Sequence, residues 1–220
     1  MTRNYELDDV KAVMRRVASA LSESENELTK LDQALGDGDL GITAVKISDA
    51  LLVYIKDARD DAGNDLGRFI SGAGMAANRV ASSTMGTLLA TAAMRAGRVV
   101  KGADSIAPAQ LGEMLNQAGQ GMRERGKASL GDKTILDAIF PAAEAFSAAL
   151  ANDKPLAEAA RKMVDAAKEG RDAVTPLRSK IGRAGWIGER GQGMLDPGCQ
   201  LCVIVLEAMA NSPVHGNPGR

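Results

Sequence analysis

Apolar residues recur at helical spacing along almost the whole of this chain, and no segment makes a convincing strand. Val10, Val13, Met14, Val17, Ala20 and Leu21 fall on one stripe, with Asp8 and Asp9 where negative charge suits a helix start. Leu28, Leu31 and Leu35 mark a shorter helix that ends at Gly36. Residues 41–58, 65–81, 84–99, 108–124, 134–151 and 154–174 continue the pattern, with Asp60-Asp61-Ala62-Gly63-Asn64 breaking it once. A loop with Pro176 and five glycines follows over 175–193. Asp196-Pro197-Gly198 then opens a last helix, Asp as its cap and Pro in its first turn. Val203-Ile204-Val205 is β-like but sits inside 199–209, which reads better as a buried helix. Eight or nine helices with mostly short connections predict an all-α, antiparallel array in one domain, residues 1–212, followed by a loose tail over 213–220.

Composition supports helix and narrows the function. Aromatics are only 3% while Ala, Leu, Met, Glu and Lys are common, which favours helix over sheet. The net charge is −1 with no basic block, which argues against a nucleic-acid or anionic-membrane surface. No stretch approaches the ~20 apolar residues of a membrane span, and the first residues lack the apolar run of a signal peptide. Cys199 and Cys202 imply no disulfide framework, so a reducing cytoplasm is the expected setting. Their spacing resembles a redox or zinc pair, but no second Cys/His pair accompanies it, and two small buried residues on a helix is the better reading. The sole histidine, His215, lies in the tail, which leaves Ser-His-Asp or Cys-His chemistry without a base.

The chemistry is concentrated in the connections. Leu31-Asp32-Gln33-Ala34-Leu35-Gly36-Asp37-Gly38-Asp39-Leu40-Gly41 places three carboxylates within eight residues. Crowded carboxylates attract protons or cations, and oxygen-only ligands suit a hard cation such as Mg²⁺. A helix start follows, whose free N–H groups suit an anion. Three more glycine-marked segments stand between helices: 82–87, 126–134 and 182–198. In an up-and-down array, alternate connections share one end, so these segments would converge. Each also has an ordinary reading by itself. The acidic cluster is also a solvated loop, Ser82-Ser83-Thr84 and Asp132-Lys133-Thr134 are also capped helix starts, and Arg183 is also a surface ion pair.

Taken together and in order, the segments closely resemble the nucleotide-binding L subunit, or C-terminal domain, of dihydroxyacetone kinases. Residues 31–41 match that family's L-D-x-x-I-G-D-G-D-H-G, and 84–96 match its T/S-S-G-x-L-Y/F-G-T-F-F-x-R-A segment. Residues 126–137 match G-K-A-x-x-G-D-K-T-M-x-D, and 182–198 match G-R-A-x-x-x-G-E-R-x-x-G-x-x-D-P-G. The resemblance spans residues 8–212.

It implies a closed, antiparallel, up-and-down barrel of eight helices with a nucleotide site at one rim. It implies Asp32, Asp37 and Asp39 as ligands of two Mg²⁺ ions. Leu40, Gly41, Ile42 and Thr43 match the phosphate-facing helix start, Thr84 and Met85 a further nucleotide contact, and Gly126 and Ile135 the adenine pocket. Arg183, Asp196, Pro197 and Gly198 match residues that close over the nucleotide, with Arg183 also a candidate catalytic residue. The nucleotide would be exchangeable ATP, or tightly held ADP recharged by a phosphocarrier protein. The partner would be a substrate-binding K-type subunit that holds the keto-sugar, and the oligomeric state stays open, a homodimer included. A non-catalytic nucleotide-binding protein acting on a transcription regulator is the alternative. Departures are Leu40 where the family usually has His, Met85 for Ser, Leu89 and Ala90 for an aromatic-Gly pair, and Ile135 for Met.

Overall fold

The computed structural model describes residues 4–57 and 65–211. Ten α-helices and one 3₁₀ turn lie among the described residues: α1 (Leu7–Glu23), α2 (Glu25–Leu35), α3 (Leu40–Asp57), α4 (Leu66–Val80), α5 (Thr84–Val99), α6 (Pro108–Gly126), α7 (Leu136–Ala151), α8 (Leu156–Val174), α9 (Gly182–Ile187), the 3₁₀ turn (Gly188–Gly191) and α10 (Pro197–Ala210). No strand occurs among them. An isolated antiparallel bridge pairs Tyr5 with Ile106 through two backbone hydrogen bonds of 2.8 Å.

The helix starts follow local chemistry. At α1 the backbone N–H of Glu6 donates to Asp9 Oδ2 at 3.0 Å. Asp65 accepts from Arg68 N–H and from Gly102 N–H, both at 2.9 Å, so one carboxylate caps α4 and ties it to the turn after α5. These two N–H groups hold the Asp65 carboxyl below its ordinary range. Ser83 caps α5 by accepting from Gly86 N–H at 3.1 Å, and Asp196 caps α10 by accepting from Cys199 N–H at 2.8 Å.

Packing runs from neighbour to neighbour. α1 packs on α3, α3 on α4, α4 on α5, α5 on α6, α6 on α7, α7 on α8, α8 on α10, and α10 on α1. The short α2 lies against α3 and α10, and α9 rests on α2. A cavity of about 370 Å³ takes its apolar lining from α1, α3 to α8 and α10. Leu21, Leu28, Leu66, Phe69, Leu136, Val203 and Leu206 are among the side chains almost wholly removed from water.

Two sequence expectations change. The 175–193 segment is not simply a loop, because it contains α9 and the 3₁₀ turn. α9 has six residues and buries none of them, so it carries no apolar stripe for periodicity to reveal. α2 also begins earlier than its first leucine, at Glu25, with Ser24 alone separating it from α1. The predicted break over 60–64, the tail over 213–220 and His215 lie outside the described residues.

α4 and α5 cross closely because Gly67 has no side chain. A Cβ there would meet the Gly97 carbonyl oxygen and stand 2.6 Å from Lys101 Cα, both backbone atoms with little room to move. Gly67→Ala is therefore expected to lower unfolding free energy by about 1–3 kcal/mol, read as a reduced urea midpoint with an unchanged m-value.

Candidate functional site

α2 ends at Leu35 and α3 begins at Leu40, so residues 36–39 must reverse the chain. Gly38 makes the reversal in the left-handed region, at φ +79°. Gly36 makes room for the side chain that matters: a Cβ there would collide with Asp32 Oδ1 and lie 3.2 Å from Asp32 Cγ. The turn brings Asp37 and Asp39 back onto Asp32, with one oxygen from each carboxylate within 4.8 Å of the others. Asp32 is half-buried and fixed, because Leu40 N–H donates to its Oδ2 at 3.1 Å. Asp37 and Asp39 are exposed.

Two carboxylates about 4 Å apart repel by about 1 kcal/mol in water and about 4 kcal/mol at a partly desolvated surface. The effect is visible at Asp39, whose carboxyl is raised above its ordinary range by burial first and then by the negative charge of Asp37. Arg183 on α9 opposes it, with Nη1 2.5 Å from Asp37 Oδ2 and 3.8 Å from Asp39 Oδ2. The cluster already draws in one cation, and its oxygen-only donors fit a hard divalent ion.

The other sequence-identified residues lie at helix starts, except Gly126, which ends α6. Met85, Ile135, Asp196 and Gly198 converge: a Cβ on Gly198 would stand 3.0 Å from Met85 Cε, 3.0 Å from Asp196 Oδ2 and 3.4 Å from Ile135 N. Pro197 is buried with them, Thr84 is exposed beside Met85, and Gly126 packs against Leu88 of α5. Gly41 and Thr43 are buried in the first turn of α3, and Ile42 is half exposed. Leu40 points into the core at 5% exposure. The 175–193 segment links the two groups. Arg183 reaches the carboxylates, and Gly191 packs on Leu35 at the end of α2.

Sequence reasoning passed over the polar groups beneath these starts. Lys133 is 1% exposed, and its ammonium donates to the carbonyls of Thr175 at 2.9 Å, Leu177 at 3.0 Å and Gly191 at 2.8 Å. Burial lowers its pKa, and the nearby Asp196 carboxylate works against that. Asp137, 4% exposed, accepts from Gly131 N–H at 2.5 Å and Thr134 N–H at 2.8 Å. The available signal was a lysine between Asp132 and Thr134 in a glycine-marked turn, indistinguishable by composition from a capped helix start. The cysteines behave as expected. Both are buried, Cys199 Sγ–H donates to Thr134 O at 2.9 Å, and burial pushes the Cys202 thiol up to about 12 and the Cys199 thiol further. Neither is a thiolate at neutral pH.

Fold and site together define an all-α protein with a three-carboxylate cluster and a convergence of helix starts. The family model described as the DAK2 domain matches residues 34–211, and the chain belongs to that family. Asp37 and Asp39 lie inside the matched range and Asp32 just before it. The chain is 31% identical over 199 residues to the PEP-dependent dihydroxyacetone kinase 2 ADP-binding subunit DhaL of Listeria innocua, covering 89% of this chain and 91% of that protein. It is 32% identical to the D-erythrulose kinase of Mycolicibacterium smegmatis, covering 89% of this chain but 33% of that protein. Among solved structures it is similar to the dihydroxyacetone kinase of C. freundii, with TM-score 0.72, 27% identity, and coverage of 96% of this chain and 36% of that one. The same kinase in complex with AMP-PNP and Mg²⁺ matches with TM-score 0.71 and 25% identity. The chain thus spans almost the whole of a DhaL subunit and about a third of the longer kinases.

Asp196 sets a pH dependence. Burial pushes its carboxyl up to about 6, against an ordinary value of about 4 in the unfolded chain. The folded state then binds the proton more tightly, so this group's contribution to stability is full below about pH 4 and is lost as pH rises through about 6. Asn also caps helices, so Asp196→Asn keeps the α10 cap without the titration. Urea unfolding should show the wild-type stability, taken relative to Asp196→Asn, falling between those limits and level above them.

Proposed function

We propose that this chain is the Mg-nucleotide-binding, phosphoryl-transferring subunit of a dihydroxyacetone-type kinase, acting on a small keto-sugar held by a separate substrate-binding subunit. One observation carries the reading: three carboxylate oxygens within 4.8 Å at the start of α3, in a chain that matches an ADP-binding DhaL subunit over most of both lengths. The circuit of packing from α1 round to α10 and back supports an eight-helix closed barrel, with the carboxylates and the α5, α7 and α10 starts at one rim. In this reading Asp32, Asp37 and Asp39 hold a pair of Mg²⁺ ions, and Gly41, Ile42 and Thr43 lie along the phosphates. Thr84, Met85, Gly126, Ile135, Pro197 and Gly198 surround the nucleoside, and Arg183 and Asp196 belong to the part that closes over it.

Phosphoryl transfer asks mainly for positioning and charge neutralisation, so a site without histidine is chemically sufficient. Bound Mg²⁺ would supply the neutralisation and polarise the transferred phosphoryl group. Asp32 provides the fixed reference, because α3 donates its first N–H to it. Asp37 and Asp39 present their exposed oxygens outward, and Arg183, released from Asp37, stands where it can meet phosphoryl charge. Partners in this reading are the substrate-binding K-type subunit and, where ADP is the resident nucleotide, a phosphocarrier protein. The cytoplasm is the setting. No helix of the described residues is long and apolar enough to cross a membrane.

Calorimetry with Mg·ADP should give one site per chain in the wild type. Asp37→Ala should weaken it by about 100-fold, the equivalent of about 3 kcal/mol for a lost charged ligand. Absence of any Mg²⁺-dependent nucleotide binding in the wild type overturns the reading. ADP that stays with the purified chain through gel filtration identifies the phosphocarrier route, and turnover with free ATP and the partner subunit identifies the other.

A further inference from the structure

α9 carries Arg183 yet buries none of its own residues, and its Trp186 is 91% exposed. Packing of α9 itself therefore does little to place the guanidinium. What holds it lies on either side. Thr175 and Leu177 precede α9, Gly191 ends the 3₁₀ turn after it, and the carbonyls of all three accept from the Lys133 ammonium. An ammonium has three N–H donors, and here each has a carbonyl. Thr175 O also accepts from Gly193 N–H at 3.0 Å, which closes the neck of the segment at the same point. A second tie joins the same two stretches: Lys180 N–H donates to Asp132 O at 3.1 Å, and Lys180 Nζ to Asp132 Oδ1 at 3.2 Å.

The backbone at Lys133 is left-handed, at φ +62°, a conformation L side chains disfavour. A lysine kept there, buried and fully used on one segment, is strain held in place by its surroundings. A carboxylate could not substitute, because every atom to be satisfied is an acceptor, and an uncharged amide has only two N–H donors for the three carbonyls. The planar guanidinium of arginine presents its donors in a fork rather than a tripod.

We propose that Lys133 is the positioning residue for Arg183: it fastens the 175–191 segment at both sides of α9 and so sets the guanidinium over the carboxylate cluster. The inference rests on the nucleotide reading above and adds to it the group through which the closing segment is held. It acts through Arg183 and touches no ligand itself.

The test is a double-mutant cycle on nucleotide release from the full chain, using a fluorescent ADP analogue with Mg²⁺. Arg183→Ala should speed release by about tenfold, and Lys133→Met by a similar factor. Lys133→Met combined with Arg183→Ala should release no faster than about twofold beyond either alone, because both remove one device. Trypsin should cut Lys133→Met faster between residues 178 and 190, while the Mg²⁺ requirement stays that of the wild type. A merely structural lysine would instead give multiplying effects, about 100-fold in the pair, and that result overturns the proposal. Should Lys133→Met fail to fold, Lys180→Ala removes only the exposed tie to Asp132. It should speed release in the wild type and be silent in Arg183→Ala, and an equal effect in both overturns the proposal. A wild type that holds no Mg·ADP overturns the nucleotide reading and this inference together, whereas multiplying effects in a chain that does hold it overturn the inference alone.

Discussion

Mutual repulsion among Asp32, Asp37 and Asp39 is the constraint around which this end of the molecule is arranged. The turn over 36–39 forces the three oxygens within 4.8 Å, an arrangement a chain selected for stability alone would avoid. Every local device answers it. Gly36 leaves room for the Asp32 carboxylate, and Gly38 supplies the positive φ that brings Asp37 and Asp39 round. The first N–H of α3 donates to Asp32, so the positive end of a helix of 18 residues faces the cluster. Arg183 covers what remains, but it is exposed and on a helix with no buried residue, so the pair adds little to stability. A divalent cation held as proposed would compete with the arginine for the same oxygens.

A second set of charges does the opposite work. Lys133, Asp137 and Asp196 are buried, and burying an ion is costly unless its hydrogen bonds are satisfied. Here they are. Asp137 takes two backbone N–H groups, Asp196 takes the Cys199 N–H, and Lys133 gives three N–H groups to three carbonyls. These partners are mostly main chain, so each side chain fixes a stretch of backbone. The connections before α7 and α10 are held by ionic side chains where apolar burial is unavailable to them. These charges thus form two sets: exposed ones at the carboxylate turn, and buried ones that hold backbone.

The helical class and most helix limits were legible because burial imposes a period on sequence. α5 spans 84–99 as the pattern reads it, and α3 begins one residue earlier than the pattern reads it. The aspartates were legible because three acids fall within eight residues, the last two set between glycines and a helix start. What stayed hidden lacks both signals. α9 buries nothing, so no stripe marks it. Lys133 is as buried as the core leucines, yet lysine is almost never fully buried unless paired, and its partners are carbonyls some 42 to 58 residues away. Backbone acceptors leave no trace in side-chain identity. Sequence reading identified the charged residues but did not distinguish the buried Lys133 from the exposed ones.

Leu40 shows the reverse case, a conspicuous substitution with a mild structural consequence. The resemblance places a histidine here, so a polar side chain gives way to an apolar one. In this fold residue 40 begins α3, and its leucine side chain is buried in the cluster that includes Leu28, Ala44 and Ile47. Its main chain performs the task that the cluster requires, since the amide that fixes Asp32 belongs to any residue but proline. Replacing an imidazole by an isobutyl group at this point therefore exchanges a polar side chain for about the burial of one leucine, worth about 1.5–3 kcal/mol, and leaves the carboxylate geometry to the backbone. The departure at residue 40 is thus confined to what its side chain would have reached, while the part of the motif that gathers the three acids depends on glycine, helix start and amide alone.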